Sequence, residues 1–201
     1  DHQTCDSDNG IITDVFVTPA NITDPVPHTA RIKYQLEKFD FKTEAICADA
    51  GYDSSEIYAE MQDRHIKAFI PRTTRNAPNT KYDEDFCHDK FEYDKNKNVY
   101  ICPAGKELRY SSFNKQFRSK RYVAKRSDCQ NCPYKEKCIG DSKNSRMIDR
   151  LMHEEARQEQ RKNIGTDEYN SAMRLRKIWC EGNFSHQKER HNLRRTRKRG
   201  I

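Results

Sequence analysis

The apolar positions of the chain fall into short runs that are separated by long polar stretches. Residues 11–18, 43–48 and 66–70 are rich in β-branched and other apolar side chains, whereas residues 26–39 and 54–63 place apolar positions at helical spacing. Short apolar runs that alternate with helical segments are typical of parallel strands joined by crossover helices. The pattern therefore predicts an α/β fold in the order strand, helix, strand, helix, strand.

Turn and capping residues agree with these elements. Residues 8–10 read Asp-Asn-Gly, which predicts a hairpin turn before the first strand. Asp24 before Pro25 predicts an N-cap and a first-turn proline, and residues 53–56 resemble a capping box. The second strand ends at Asp49, and ligands of such sheets bind at the carboxyl ends of the strands. Asp49 is therefore a candidate for chemistry.

The chain changes character after residue 72. The following stretch is polar, with short aromatic strands and five of the eight cysteines, and predicts a small β-rich insertion. Later segments predict one charged helix and then a second, which begins with acids and ends with Lys and Arg, as the helix dipole favours. The predicted domains are residues 1–72 as the first part of a core, 73–150 as the cysteine-containing insertion, 151–190 as core helices, and 191–201 as a basic tail.

Cysteine spacing predicts a metal site in the insertion. Four cysteines follow the pattern C-x26-C-x2-C-x5-C, namely Cys102, Cys129, Cys132 and Cys138. Four thiolates fit a tetrahedral, structural Zn²⁺ site that leaves no open position for chemistry. Four unligated thiols are the alternative, and Cys87 with His88 is a further source of one ligand. Cys5, Cys47 and Cys180 follow no ligand pattern and are interpreted as ordinary small apolar residues.

Charge is distributed unevenly along the chain. The net charge is +7, yet residues 174–201 hold ten Lys or Arg against two acids. Residues 103–126 hold eight Lys or Arg against Glu107 alone, with four aromatic residues interleaved. Basic stretches of this kind indicate a polyanionic partner, although a solvated charged face is the alternative for either one.

Nothing in the sequence predicts a membrane segment. No run of about 18 apolar residues occurs, and the first residues lack the apolar stretch of a signal peptide. The sequence therefore predicts a cytoplasmic protein, in which cysteines stay reduced or bind metal.

Glu181 lies among cations on the second predicted helix. In a regular helix, Arg174, Glu181 and Lys188 share a face, and Lys177 lies close to it. One interpretation is a set of weak surface ion pairs. The other is an acid that binds a metal while the cations bind flanking phosphates. Helical periodicity alone does not choose between them.

The segment Asp49-Ala50-Gly51-Tyr52 resembles the "D-x-G-Y" segment of DDE transposases of bacterial insertion sequences, which have an RNase H-like core. In that branch a late helix carries Tyr, two residues, Arg, three residues, Glu, six residues and Lys. Glu181 and Lys188 keep the last spacing. Lys177 stands at the Arg position, and Arg174 replaces the Tyr.

Further segments resemble the subgroup with a cysteine-bearing insertion. They are residues 12–21 (ITDVFVTPAN), the four-cysteine pattern with Cys-Pro-Ala-Gly at 102–105, and residues 193–200 (LRRTRKRG). The resemblance implies a partial RNase H-like core, with a mixed sheet, flanking helices and a zinc-binding insertion. It also implies double-stranded DNA as partner, both transposon ends and target, a homodimer in the active form, and a place at the bacterial nucleoid.

The resemblance further implies a DDE site, in which two Asp and one Glu hold two Mg²⁺ or Mn²⁺ ions. Water frees the 3′ ends of the transposon, and those ends then attack the target DNA. Asp49 and Glu181 correspond to the second and third carboxylates. The implied DNA-binding residues are Arg174, Lys177, Lys188, Arg194, Arg195, Arg197, Lys198 and Arg199.

The first carboxylate of the set has no counterpart. It belongs to a strand that would precede residues 11–18, and the nearby Asp1, Asp6, Asp8 and Asp14 are not expected to converge with Asp49. The chain is therefore predicted to be a C-terminal portion with little strand-transfer activity of its own. Two alternatives stay open: a zinc-stabilised DNA-binding module without chemistry, as in a decayed transposase, and a stand-alone metal nuclease with Asp8 or Asp14 beside Asp49.

Overall fold

A computed structural model describes residues 2–72 and 84–191, with the side chains of Glu84 and Asp89 left out. The chain divides into two compact units. One unit combines residues 1–73 with 155–201 and is called the split unit, and the other contains residues 74–154 and is called the sheet unit. Within the described residues, no helix is both long and apolar enough to cross a bilayer.

The first part of the split unit has the predicted order of strands and helices. It contains β1 (His2–Cys5), β2 (Ile12–Phe16), α1 (Pro25–Phe39), β3 (Ala45–Cys47), α2 (Ser55–Asp63) and β4 (Lys67–Phe69). The β1 and β2 strands form an antiparallel hairpin, and β3 pairs with β4 in parallel. The predicted mixed α/β character is confirmed. The strands form two separate two-stranded sheets rather than one mixed sheet.

The second part of the split unit is helical. It contains α5 (Glu154–Arg161), α6 (Asp167–Arg176), a π-helical segment (Lys177–Glu181) and α7 (Gly182–Arg190). The prediction of one regular helix over residues 166–188 is wrong at the π-helical segment. There the hydrogen bonds run from i to i+5, which changes the side-chain spacing on which the predicted shared face depends.

The core of the split unit lies between α2, β4 and α5. Ile57 and Met61 are one helical turn apart on α2 and fully buried, and they pack with Ala68, Ile70 and Ala156. Burial of these side chains packs α2 and α5 against β4, one strand of the parallel pair.

The sheet unit is built on one antiparallel sheet in chain order. It contains β5 (Glu92–Asp94), β6 (Val99–Ile101), β7 (Glu107–Asn114), β8 (Ser119–Ala124), α3 (Arg126–Gln130), α4 (Lys135–Ile139) and β9 (Met147–Leu151). Tyr100, Leu108 and Tyr122 alternate inward from three adjacent strands and are almost fully buried, together with Phe91 and Ile148. The role of this unit as an insertion into a catalytic core stays a prediction.

Candidate active site

Asp49 lies just beyond the end of β3 and opens a short 3₁₀ turn, Ala50–Tyr52. Its side chain accepts a hydrogen bond from the backbone N–H of Gly51 at 2.8 Å. The residue is exposed. A carboxylate at the carboxyl end of a parallel strand is held by local backbone geometry and faces solvent, so it is free to bind a ligand.

A broad cleft of about 1470 Å³ opens beside Asp49 within the split unit. Residues of β1, β3, α6, the π-helical segment and α7 line it, and both Asp49 and Glu181 are among them. Among the described residues, β1 and β3 each have one edge without a neighbouring strand. The cleft therefore brings the two predicted carboxylates into one space that is bordered by two open sheet edges.

Glu181 ends the π-helical segment, and its side chain is half exposed. The cation that binds it is Arg176, whose Nη2 lies 2.5 Å from Oε1. The spacing of five residues between them matches the i to i+5 repeat of a π-helix. Helical periodicity does not predict this pair, because regular spacing places residue i+5 on a different face of the helix.

The cations predicted around Glu181 do not all lie at the cleft. Lys188 lines the cleft together with Glu181, whereas Arg174 and Lys177 are not among the cleft residues. None of these three side chains forms an ion pair with a residue that the structure describes. The predicted Arg194, Arg195, Arg197, Lys198 and Arg199 lie outside the described residues.

Asp24 is a cleft residue that the sequence analysis interpreted only as a helix cap. It precedes α1, yet its side chain makes no capping hydrogen bond. A Cβ built on Gly51 would lie 2.7 Å from Oδ2 of Asp24 and 2.9 Å from Oδ1 of Asp49. Both carboxylates therefore lie close to Gly51, and a side chain at this position would force one or both of them to move.

Tyr52 connects this pair to the rest of the cleft. Its hydroxyl lies 2.9 Å from Nδ1 of His2, and that nitrogen is 3.9 Å from Oδ1 of Asp24. Burial, followed by the negative charges of Asp24 and Asp49, raises the pKa of Tyr52 well above its ordinary value. Tyr52 therefore stays protonated and helps to hold the turn that carries Asp49.

Three thiols line the same cleft. Burial raises the pKa of Cys180 to about 12, with a further contribution from the neighbouring Cys5, and burial raises the pKa of Cys47 to about 11. Cys47 contacts the sulfur of Met173 at 3.4 Å. Cys47 and Cys180 are therefore thiols at neutral pH, and the interpretation of all three cysteines as small apolar residues stays a prediction.

The other acids named as replacements for the first carboxylate have local partners. Asp14 forms an ion pair with Arg31 of α1, and Asp6 accepts hydrogen bonds from the backbone N–H groups of residues 8, 9 and 11. Asp8 accepts a hydrogen bond from the Ser7 hydroxyl. Asp1 lies outside the described residues. The carboxylate observed beside Asp49 is Asp24.

In the sheet unit, the four predicted zinc ligands surround one small cavity of about 30 Å³, which Cys102, Cys129, Cys132 and Cys138 all line. The backbone N–H groups of Lys106 and Arg146 point at the sulfurs of Cys102 and Cys129, at 3.3 and 3.4 Å. Cys87 and His88 do not line this cavity.

A preformed metal site is absent from the part of the chain that the structure describes. No group of three or more His, Cys, Asp or Glu side chains lies close enough together there to hold a metal ion. The cleft therefore contains carboxylates but not a complete set of metal ligands. The four thiols line one cavity but are not arranged as a tetrahedral site.

Comparison with known proteins identifies the family. Residues 101–201, just over half of the chain, match the family model described as a transposase DDE domain. The matched region contains Glu181 and the four cysteines, and Asp49 lies before it. No curated protein and no solved structure matches the chain. The family match, over half of the chain, shows that the chain belongs to the transposase DDE domain family.

Proposed function

We propose that this chain is the catalytic part of a DDE transposase of a bacterial insertion sequence, of the subgroup with a cysteine-bearing insertion. It would cut and join DNA by metal-dependent hydrolysis and strand transfer. The observation that supports this most is that Asp49 and Glu181, far apart in sequence, line one cleft in a chain of this family. DNA is the substrate that a transposase domain implies.

The donor set of the cleft fits a hard divalent cation. The carboxylates of Asp49 and Glu181 are the oxygen ligands that Mg²⁺ and Mn²⁺ prefer. When bound, the metal would supply Lewis acidity to the attacking and leaving oxygens. Lys188 lines the cleft beside Glu181 and would bind a neighbouring phosphate, while Arg176 would exchange its ion pair with Glu181 for the DNA backbone.

A third carboxylate is needed for the full site. The open edges of β1 and β3 border the cleft, so a further strand that pairs there would run beside Asp49. We assign the first Asp of the DDE set to such a strand. The chain alone is then expected to show little or no strand transfer, and robust Mg²⁺-dependent cleavage that Asp49→Ala abolishes would contradict this expectation.

Binding of Mn²⁺ by the chain tests the assignment of Asp49 and Glu181. Electron paramagnetic resonance should detect bound Mn²⁺, and Asp49→Asn or Glu181→Gln should each weaken its binding at least about tenfold. The matched control is Asp63→Asn, because Asp63 is an exposed acid outside the cleft. Binding that is unchanged in both cleft variants would contradict the proposal.

A second candidate is a DNA-binding module without chemistry. The ion pair of Glu181 with Arg176 and the lack of a three-ligand group among the described residues favour it. It predicts that the chain binds DNA with the same affinity with and without Mn²⁺. The catalytic proposal predicts instead that Mn²⁺ strengthens binding in the wild type and fails to do so in Asp49→Asn.

For the sheet unit we propose a structural Zn²⁺ ion bound by Cys102, Cys129, Cys132 and Cys138. Their common cavity and the N–H groups directed at two of the sulfurs support this assignment. Elemental analysis should find about one zinc per chain, since four thiolates complete one tetrahedral site. Cys132→Ser should lower the zinc content, and the control Cys87→Ser should not.

For the full-length protein we propose duplex DNA of the transposon ends and target as partner, with two copies acting together. The exposed Lys177 and Arg174 would bind phosphates beyond the cleft, and the basic tail of residues 191–201 would do the same. Sedimentation with and without end DNA tests the dimer, which should form only when DNA is present.

A further inference from the structure

The hairpin of β7 and β8 carries aromatic residues beyond the core of the sheet unit. Leu108 and Tyr122 near its base are fully buried. Tyr110, directly across from Tyr122, and Phe113 and Phe117, nearer the turn, are 49%, 43% and 63% exposed. Exposed apolar side chains gathered on one projecting element usually mark a binding surface, because water solvates them poorly.

A bulge in the hairpin places two of these rings on the same face. Tyr110 pairs with Tyr122, Phe113 pairs with Lys120, and the register shifts between residues 110 and 112. Tyr122 and Lys120 are two residues apart and so share a face of β8. Tyr110 and Phe113 therefore share that face although three residues separate them, which a regular strand would not allow.

Cations without partners accompany these rings. Lys120 stands directly across from Phe113, and Lys115 lies in the turn of the hairpin. Neither forms an ion pair with any residue in the described ranges. Arg121, by contrast, faces the other side of the strand and is bound by Asp149 of β9 at 2.8 Å. No acid occurs between residues 115 and 126, so neither lysine has an acidic neighbour in this part of the sequence.

Flat rings and free ammonium groups together match one class of ligand. Phosphates attract Lys side chains, and exposed bases stack on aromatic faces without sequence preference. An acidic protein would pair with the cations but would leave the rings without a specific partner. A fully stacked duplex would likewise hide the base faces from the rings.

We propose that this aromatic ledge (Tyr110, Phe113, Phe117, Lys115 and Lys120) binds DNA bases that are unpaired or unstacked, and that its two lysines bind the flanking phosphates. The inference rests on the proposed function only in taking DNA as the ligand. It does not require chemistry at Asp49 or Glu181.

Fluorescence anisotropy of the full 201-residue chain tests the ledge with two labelled duplexes of equal length, one fully paired and one with several unpaired bases. The double variant Phe113→Leu with Phe117→Leu should lose about tenfold in affinity for the duplex with unpaired bases. Its affinity for the paired duplex should change far less. Replacing both residues by Tyr should retain binding, because a ring face is kept.

Two further comparisons separate stacking from charge and from folding. Lys115→Gln with Lys120→Gln should weaken binding to both duplexes and reduce the salt dependence by about one phosphate contact for each lysine. Met147→Ala is the matched control, because Met147 is 50% exposed on β9 of the same sheet. This variant should bind both duplexes like the wild type. Circular dichroism should show that every variant is folded.

Equal binding of both duplexes by the wild type and the double Leu variant would overturn the proposal. So would a double Leu variant that keeps DNA affinity but loses concentration-dependent self-association, since the ledge would then be a contact between copies. The ledge comparison is made in metal-free buffer, so its outcome does not depend on metal binding at Asp49 or Glu181. A negative Mn²⁺ experiment would therefore not contradict the ledge proposal, and a negative ledge experiment would not contradict the catalytic proposal.

Discussion

The sheet unit and the split unit cover their strands in different ways. Each strand of the sheet unit bonds to its neighbour in the chain, from β5 to β9, and the tyrosines of the core pack edge to face across three of these strands. In the split unit the strands form two separate pairs, and β2 leaves Ile12 and Val15 exposed. Burial in the split unit is concentrated behind β4.

The edges of the parallel pair in the split unit show the contrast most clearly. The outer edge of β4 is covered by the amide side chain of Gln160, which accepts from the N–H of Ala68 at 3.0 Å and donates to the carbonyl of Ile66 at 3.3 Å. The opposite edge, on β3, borders the cleft without a strand partner among the described residues. One sheet edge is sealed by a side chain, and the edge next to Asp49 is open.

This difference indicates which edge of the parallel pair is covered and which edge has backbone groups available for binding. Regions with covered edges and continuous cores open rarely, while regions with free backbone groups exchange and bind readily. The candidate carboxylates line the cleft that this open edge borders, and the tightly packed core lies between α2, β4 and α5. Four measurements test this contrast.

The largest effect is expected at the buried ion pair of the split unit. Asp53 has no exposed side-chain surface and is bound by Nη2 of Arg161 at 2.7 Å. Arg161→Met leaves that carboxylate buried without its cation and should cost about 3–5 kcal/mol of unfolding free energy. Urea unfolding followed by the fluorescence of Trp179 measures it. The control Lys162→Ala removes an exposed pair and should cost less than about 1 kcal/mol.

The next effect compares the two sets of strands directly. Leu108→Ala removes a fully buried side chain from the sheet unit and should cost about 2–5 kcal/mol. Val15→Ala on β2, where the residue is 58% exposed, should cost less than about 0.5 kcal/mol. Hydrogen exchange of backbone amides in each unit gives both values. Similar losses at the two positions would mean that β2 is covered in solution.

A pH dependence is expected from His28 in α1, next to the cleft. Burial, with the nearby His2 second, lowers the pKa of His28 from 6.5 to about 4. The folded state holds this ring neutral, so its stability is full above pH 6.5 and falls as the pH drops toward 4, by on the order of 3 kcal/mol. Unfolding curves across this range should lose that slope in His28→Gln. An unchanged slope in the variant would assign the dependence to other groups.

The smallest of the four effects concerns the sealed edge. Gln160→Leu leaves the N–H of Ala68 and the carbonyl of Ile66 without their partner, which should cost about 2 kcal/mol. Thermal unfolding measures it against Gln62→Leu, where the side chain is exposed on α2. If the two variants unfold alike, the edge of β4 is not the sealed one.

The local elements of the chain follow from its sequence, because their signals are local. Apolar runs bounded by turn residues place β2, β3 and β4, and Pro25 marks the start of α1. The family is recognisable because Asp49 and Glu181 stand in sequence motifs that can be read without knowing how the chain packs. Their predicted metal-binding roles stay predictions.

Other features of the site depend on contacts that no periodicity encodes. Asp24 has the sequence context of a helix cap, yet its carboxylate lies over Gly51. In the sequence, Gln160 is one polar residue on a charged helix, and its bond to β4 is visible only in the structure. The bulge near Ser111 reverses which residues share a face, and a strict two-residue alternation puts Tyr110 and Phe113 on opposite sides.

The direction of the Glu181 side chain depends on how many residues the helix before it contains, because Glu181 ends the π-helical segment. A π turn contains one residue more than the α-helical turn it replaces. Because that turn absorbs the extra residue, the helix keeps nearly the same phase across it, whereas deleting one residue from the regular α6 would rotate Glu181 by about 100° about the helix axis. A deletion that removes no charged side chain would thus change the direction of the Glu181 carboxylate, so its proposed metal-binding role depends on the length of this helix as well as on the acid itself.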